Sequence, residues 1–99
     1  MSYKLIIKEE AIADMQEAYD YYEEQQAGLG ERFLAALQQR FVSLSEHPQY
    51  YGFIDSKQLL RDVSVAVFPY VIVYGIIEDE VRVYAIHPTR KRPKQNYSE

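Results

Sequence analysis

The sequence predicts an α+β domain in which an N-terminal strand and a helical hairpin pack on an antiparallel sheet, in the order β-α-α-β-β-β. Two observations lead to this prediction. Apolar residues recur every three or four positions between residues 9 and 45, as on one face of a helix. From residue 61 they recur every second position, as on one face of a strand. Two helices in series followed by a β-meander make a two-layer structure, with the helices on one face of the sheet.

A single domain accounts for the chain of 99 residues. We assign residues 1–99 to one domain, because this length supports one modest core and not two. The composition is that of a globular protein, and the absence of cysteine excludes disulfides and thiolate metal sites. The N-terminus carries no long apolar run, and no stretch approaches about 18 apolar residues. We therefore expect a soluble, cytoplasmic protein with no membrane partner.

The first three elements follow from local patterns. Residues 3–8 are short, apolar and β-prone, which predicts a strand. A helix is predicted from about Glu9, and Gly28 is a plausible left-handed residue at its C-terminal end. A second helix is predicted from about Leu29 to Ser45. Because only a few residues separate the two helices, we expect them to lie antiparallel as a hairpin.

The remaining chain predicts a loop and a three-stranded meander. Residues 47–57 are rich in aromatics and form the loop. Residues 61–67 alternate between apolar and polar types, as in a half-buried strand. Residues 70–77 are almost continuously apolar, which predicts a central strand covered on both faces. A charged turn at 78–80 then leads to a last strand over 81–87, paired with the preceding one as a hairpin.

The charge is distributed unevenly along the chain. The formal net charge is -4, but residues 1–80 contain 14 acidic residues and only 6 Lys or Arg. Residues 81–99 contain 5 Lys or Arg and one acid, Glu99. A cationic tail on an acidic body is typical of a protein that binds nucleic acid or an acidic partner. A solvated tail that keeps the chain soluble is an equally good interpretation of charge alone.

Most catalytic signatures are missing from the sequence. There is no cysteine nucleophile and no Gly-rich phosphate loop, and His47 and His87 are too far apart for metal-ligand spacing. We therefore predict neither a metal nor a cofactor. The remaining candidates are polar residues in the C-terminal half, which we predict to bind a target or nucleic acid: Arg61, Tyr70, Tyr74, Arg82, His87, Arg90 and Arg92.

These residue types suit a phosphate-rich ligand. Arginine donates a planar fork to phosphate oxygens, tyrosine stacks on a base, and histidine moves a proton near neutral pH. Tyr70 and Tyr74 are four positions apart on one strand, so both point to the same face. Taken singly, the two tyrosines are better explained as half-buried strand residues, His87 as a packing or capping residue, and Arg61 as the partner of a surface acid. Taken together with the basic tail, they make a binding role competitive. Spacing alone does not reveal sheet register, so convergence of these residues stays open.

At this point the sequence resembles the ParE-type toxins of the RelE/ParE superfamily. The resemblance covers nearly the whole chain, and its most specific part is the C-terminal half. That pattern has an arginine before a strand, a Phe-Pro-Tyr run, a tyrosine four residues on, and a closing histidine with trailing arginine and proline. Here these are Arg61, Phe68-Pro69-Tyr70, Tyr74, His87, Arg90 and Pro93. The front half is similar to the helical hairpin of the family through Tyr21-Tyr22-Glu23 and Gly28-Leu29-Gly30-Glu31-Arg32-Phe33.

The resemblance implies a RelE-like fold and the toxin role in a type II toxin–antitoxin, or plasmid stabilisation, system. The chain would be made beside a cognate antitoxin, which would wrap it as a helix and an added strand. Loss of that partner would arrest bacterial growth. A homodimer stays open. RelE-like members are metal-independent, ribosome-dependent mRNA endonucleases, whereas ParE-like members inhibit DNA gyrase and need not be enzymes.

Three departures favour the gyrase-directed branch. RelE-like toxins are usually strongly basic because they dock on ribosomal RNA, whereas this body is acidic. They place a lysine pair before the second strand, where this chain has only Lys57. No general base stands out apart from His87. If the chain is an endonuclease all the same, Arg61, His87 and Arg90 are the expected catalytic groups. A degenerate, non-toxic member of the fold is the third alternative.

Overall fold

The computed structural model describes residues 2–89, which form two helices packed on one four-stranded sheet. The predicted α+β fold and the predicted order of elements are confirmed. The predicted site residues Arg90 and Arg92 lie outside the described residues. No helix within 2–89 has the length and apolar character needed to cross a bilayer. The elements are β1 (Lys4–Ile7), α1 (Glu9–Gln25), α2 (Leu29–Glu46), a 3-10 turn (Pro48–Tyr50), β2 (Arg61–Ser64), β3 (Tyr70–Ile77) and β4 (Glu80–Pro88).

The strands lie in the order β1-β4-β3-β2. The pairs β2–β3 and β3–β4 are antiparallel, as the meander predicts. β1 differs from the fully antiparallel expectation, because it pairs parallel with β4, from Lys4 opposite Glu80 to Ile7 opposite Val83. The sheet is therefore mixed. Parallel pairing is available to β1 because the whole helical hairpin intervenes before the chain returns to the sheet.

β2 ends earlier than the alternating pattern predicts. Pairing with β3 stops at Ser64, three residues short of the expected end. Val67 then adopts a φ of 76°, in the left-handed region that β-branched residues rarely occupy, and its side chain is 91% exposed. The chain turns here into a hairpin that presents Val67 and Pro69 to solvent.

The core lies between the helices and one face of the sheet. Phe33 is fully buried and stacks with Tyr22, Phe68 and Tyr70, at ring-centroid separations of 5.1–5.4 Å. Tilted and edge-to-face aromatic pairs of this kind stabilise a core beyond the apolar area that they bury. They tie the β2–β3 hairpin to both helices. The buried core cluster is Ala11, Ala18, Phe33, Leu37, Phe41, Leu44, Val63, Val65, Ile72, Tyr74, Val81, Val83 and Ile86.

The turn between the helices has a specific hydrogen-bonding pattern. The carboxylate of Glu23 accepts hydrogen bonds from the backbone N–H groups of Gly28 (2.9 Å) and Gly30 (3.0 Å) at the start of α2. These N–H groups have no partner within the helix, and a carboxylate also suits the positive end of its dipole. The left-handed conformation predicted for Gly28 is confirmed, with φ 90°, although this residue is the N-cap of α2. A Cβ on Gly30 would lie 2.8 Å from the ring of Tyr19, so only glycine fits there.

Candidate functional site

Arg61 holds the loop after α2 against the sheet. It opens β2, opposite Tyr74 of β3. Its guanidinium donates hydrogen bonds to the carbonyl oxygens of Tyr51 (2.5 Å) and Gln49 (3.2 Å). The same group lies 3.9 Å from the ring centroid of Phe53, a cation–π distance. The structure therefore gives the predicted phosphate-binding arginine a set of partners within the chain.

Tyr74 is also engaged by this loop. Its side chain is 0% exposed, and its hydroxyl donates a 2.6 Å hydrogen bond to the carbonyl oxygen of Pro48. Burial raises the pKa of the Tyr74 hydroxyl well above its ordinary value, and the charge of Arg61 opposes that change. The hydroxyl is thus kept as a neutral donor. We call Pro48, Tyr51, Phe53, Arg61 and Tyr74 the loop clamp.

Arg61 and Tyr74 form one end of the β2–β3 ladder, and Tyr70 and His87 lie near its other end, at the start of β3 and the end of β4. Tyr70 pairs with Pro88, and His87 pairs with Val71. From the register, Arg61 and His87 are separated by three residue steps along β3 and two strand spacings, or roughly 14 Å between Cα positions. The predicted site residues therefore form two pairs, Arg61 with Tyr74 and Tyr70 with His87. The structure does not bring these pairs together.

The second pair lines a cleft of about 380 Å³ between the middle of α1 and the ends of β3 and β4. We call it the α1 cleft. Sequence reasoning named Tyr70 and His87 but missed the contribution of α1, chiefly Asp14, Glu17 and Tyr21. Their spacing of three and four residues along one helix was the available signal. The lining residues are Asp14, Glu17, Ala18, Tyr21, Tyr22, Pro69, Tyr70, Ile86, His87 and Pro88.

Asp14 takes the place of a missing strand at this end of the sheet. β1 pairs with β4 only as far as Val83, which leaves the outer edge of β4 without a strand beyond that residue. The Asp14 carboxylate accepts a 2.9 Å hydrogen bond from the backbone N–H of Ile86 on this edge. The side chain thus satisfies a backbone donor that another strand would otherwise pair with.

The α1 cleft is electronegative. Burial is the largest cause that raises the pKa of Asp14 above its ordinary value, and the nearby charges of Glu17 and Glu10 raise it further. The hydrogen bond from Ile86 and the charge of His87 act in the opposite direction. Within residues 2–89, no group of three or more His, Asp or Glu side chains is arranged to hold a metal ion. The described cleft thus offers carboxylates and tyrosine rings to a ligand.

Arg82 belongs to neither group. It lies on β4 opposite Gly75 and forms a 3.0 Å ion pair with Glu80. Both side chains are partly exposed, so this pair contributes little to stability. It is separate from the residues that line the α1 cleft.

Comparison with known families identifies the chain. A family model for the ParE toxin of the type II toxin–antitoxin system, parDE, matches residues 5–93. The chain belongs to the ParE toxin family. It is thus a toxin of the ParE/RelE type in type II toxin–antitoxin systems, as the sequence pattern indicated. A search of curated protein sequences gives no match.

Solved structures share the fold of this ParE-family chain at low sequence identity. A chromosomal ParDE toxin–antitoxin system from P. aeruginosa superimposes with a TM-score of 0.77 at 16% identity, covering 88% of this chain and 96% of that one. A mutant of the E. coli toxin RelE in the free state has a TM-score of 0.69 at 18% identity, covering 90% and 85%. The toxin–antitoxin complex RelBE2 from Mycobacterium tuberculosis has a TM-score of 0.65 at 16% identity, covering 89% and 99%.

Proposed function

We propose that this ParE-family toxin arrests growth by binding and inhibiting DNA gyrase, and that a cognate antitoxin keeps it inactive. The contact surface is the end of the sheet that carries Tyr70 and His87, together with the cationic residues Arg90 and Arg92 that follow it. In this proposal Arg61 and Tyr74 support the fold and do not touch the target.

The observation that carries the proposal is the placement of Arg61. A metal-independent endonuclease needs its cationic and proton-transferring groups within hydrogen-bond reach of one phosphodiester. The guanidinium of Arg61 is engaged by two backbone carbonyls and a phenylalanine ring. His87 lies roughly 14 Å away by the register of the sheet. This arrangement supports a binding toxin in preference to a nuclease.

The charge of the described residues also supports a binding toxin in preference to a nuclease. The described residues include every acid of the chain except Glu99, and only 7 of its 11 Lys and Arg residues. Docking on RNA is favoured by positive charge, because bound cations release counterions from the phosphate backbone. The carboxylates of Asp14 and Glu17 would repel that backbone at the α1 cleft. A protein surface is the better target for such a body.

The test is a supercoiling assay with purified gyrase and purified toxin. We expect the wild-type toxin to inhibit supercoiling and the Arg90→Ala/Arg92→Ala variant to need at least about tenfold more protein, since interface arginines often contribute above 1.4 kcal/mol. Lys4→Ala/Lys8→Ala is the matched control, because it removes the same charge at the other end of the chain. We expect this control to inhibit like the wild type.

A parallel assay tests the alternative. Primer extension on a defined, translated transcript detects cuts within codons after the toxin is induced without antitoxin. Cuts that accompany growth arrest, with supercoiling unaffected, would contradict the proposal. They would make the chain a RelE-like endonuclease with Arg61, His87 and Arg90 as catalytic groups. Normal growth at verified high expression would instead indicate a non-toxic member of the family.

A further inference from the structure

The described chain ends at the rim of the α1 cleft. β4 finishes at Pro88, and the backbone N–H of Thr89 then donates a 2.8 Å hydrogen bond to the carbonyl oxygen of Pro69. Both prolines line the cleft. Thr89, the last residue that the structure describes, therefore lies beside the cleft.

The chemistry of the cleft suits a cationic side chain. One wall carries the carboxylates of Asp14 and Glu17, and other walls carry the rings of Tyr21 and Tyr70. A guanidinium or ammonium group is attracted by both, through charge-assisted hydrogen bonds to carboxylates and through the faces of aromatic rings. Glu10 adds a third negative charge close enough to raise the pKa of Asp14.

The residues that follow Thr89 in the sequence have the complementary charge. Residues 90–94 read Arg-Lys-Arg-Pro-Lys, four cations in five positions, whereas the body is acidic. A ligand joined to its site by a short tether experiences an effective concentration in the millimolar range, so even a weak contact is populated. A free partner would have to supply the same charge without that advantage.

We propose that the cationic segment 90–99 of this chain docks in the α1 cleft of the same molecule. An arginine of the segment lies between the carboxylates of Asp14 and Glu17. Docking hides the cations that are proposed to contact gyrase, so the target must displace the segment. This regulatory consequence rests on the proposed function, whereas the docking itself does not.

Engineered cysteines test the docking, because the natural chain has none. One full-length variant carries Tyr21→Cys in the cleft and Gln95→Cys in the segment, which leaves every cation and carboxylate in place. The matched variant carries Ser64→Cys with Gln95→Cys. Ser64 is exposed and lies two strands from His87 in register, roughly 10 Å away. Six residues from Thr89 reach up to about 20 Å, so the tether reaches either position.

We expect the Tyr21→Cys pair to form its intramolecular disulfide at least about tenfold faster than the Ser64→Cys pair at low salt. That advantage should fall in 1 M NaCl, where the Debye length is about 3 Å. Adding Glu17→Lys should reduce the rate toward that of the Ser64→Cys pair. Adding Glu46→Lys, an exposed acid at the end of α2, should leave the rate unchanged.

Three results would overturn the docking. These are equal rates for the two pairs, a rate that does not depend on salt or on Glu17, and disulfides that join two molecules instead of forming within one. The last result would assign the cleft to a second copy of the chain. Because cross-linking reports position and not toxicity, failure of the gyrase proposal would leave this measurement unaffected.

Discussion

The two ends of the β2–β3 ladder carry similar residues in different surroundings. At one end, Tyr74 and the adjacent Arg61 donate their hydrogen bonds to carbonyl oxygens of the loop after α2. At the other end, Tyr70 and His87 line a cleft that is walled by Asp14 and Glu17 of α1. The comparison teaches that residue type alone does not tell how a side chain is engaged. The position in the fold does: the loop after α2 covers Arg61 and Tyr74, whereas Tyr70 and His87 line a cleft.

The difference follows from how each end satisfies its backbone. The loop between α2 and β2 has little regular structure, so its carbonyl oxygens need donors from elsewhere. Arg61 and Tyr74 supply them. At the cleft end the N–H of Ile86 lies on the outer edge of β4, and Asp14 accepts a hydrogen bond from it. Tyr70 and His87 of this end line the α1 cleft.

The largest expected effect is a loss of stability when the loop clamp is broken at Arg61. We expect Arg61→Ala to lower the free energy of unfolding by about 3 kcal/mol, because hydrogen bonds from a charged donor contribute about 1.5–3 kcal/mol each and both are lost. Urea denaturation measures the change. Arg61→Lys keeps the charge but not the planar fork, so we expect about half the loss. Arg32→Ala, at an exposed position of α2, is the control and should change stability by less than about 0.5 kcal/mol.

The same variant sharpens the comparison between the two ends. If Arg61→Ala abolishes toxicity while its unfolding curve stays that of the wild type, Arg61 acts on the target and the clamp interpretation is wrong. A stability loss with toxicity retained below the unfolding transition is the outcome that the structure predicts.

A smaller effect is expected at the buried tyrosine. Tyr74→Phe removes the hydroxyl and leaves the carbonyl oxygen of Pro48 without that donor, which should cost about 1–2 kcal/mol of unfolding free energy. Tyr50→Phe removes a hydroxyl from a side chain that is 83% exposed and serves as the control, with no measurable change expected. Equal effects of the two substitutions would show that the Pro48 contact contributes nothing to stability.

The smallest expected effect concerns Asp14, whose side chain accepts a hydrogen bond from Ile86 and also carries a carboxylate into the α1 cleft. Asp14→Ala leaves the N–H of Ile86 without its acceptor and should cost about 1 kcal/mol. Asp14→Asn keeps an acceptor oxygen without the partly buried charge and should be at least as stable as wild type at neutral pH. Chemical denaturation of both variants measures this difference. If the asparagine variant is as unstable as the alanine variant, the charge of Asp14 is itself required.

The pH dependence of Asp14 has a defined sign. Its pKa in the folded protein is raised above the ordinary 3.8, mainly by burial, so folding favours the protonated form. The contribution of Asp14 to stability is therefore fully present below pH 3.8 and is lost as pH rises through the folded-state pKa. Asp14→Asn should lack this pH-dependent contribution to the free energy of unfolding. The difference in unfolding free energy between this variant and wild type should therefore shrink as pH falls toward 3.8.

Much of the fold could be predicted from the sequence by itself, because its signals are local. The alternation that begins at Arg61, the apolar run of β3 and the glycine at 28 specify elements whose order the structure confirms. The pattern from Arg61 to Pro93 was enough to indicate the ParE family. The sequence also indicates Tyr70 as a site candidate through its spacing from Tyr74, and His87 through its place at the end of the last strand.

Only the tertiary structure decided what surrounds those candidates. Asp14, Glu17 and Tyr21 look like solvated helix surface in the sequence, and they become cleft walls because α1 crosses the end of β4 beyond β1. The parallel position of β1 and the engagement of Arg61 by the loop also depend on which segments meet after folding. Periodicity reports which face of an element is apolar. It contains no information about which distant backbone atoms a polar side chain will meet.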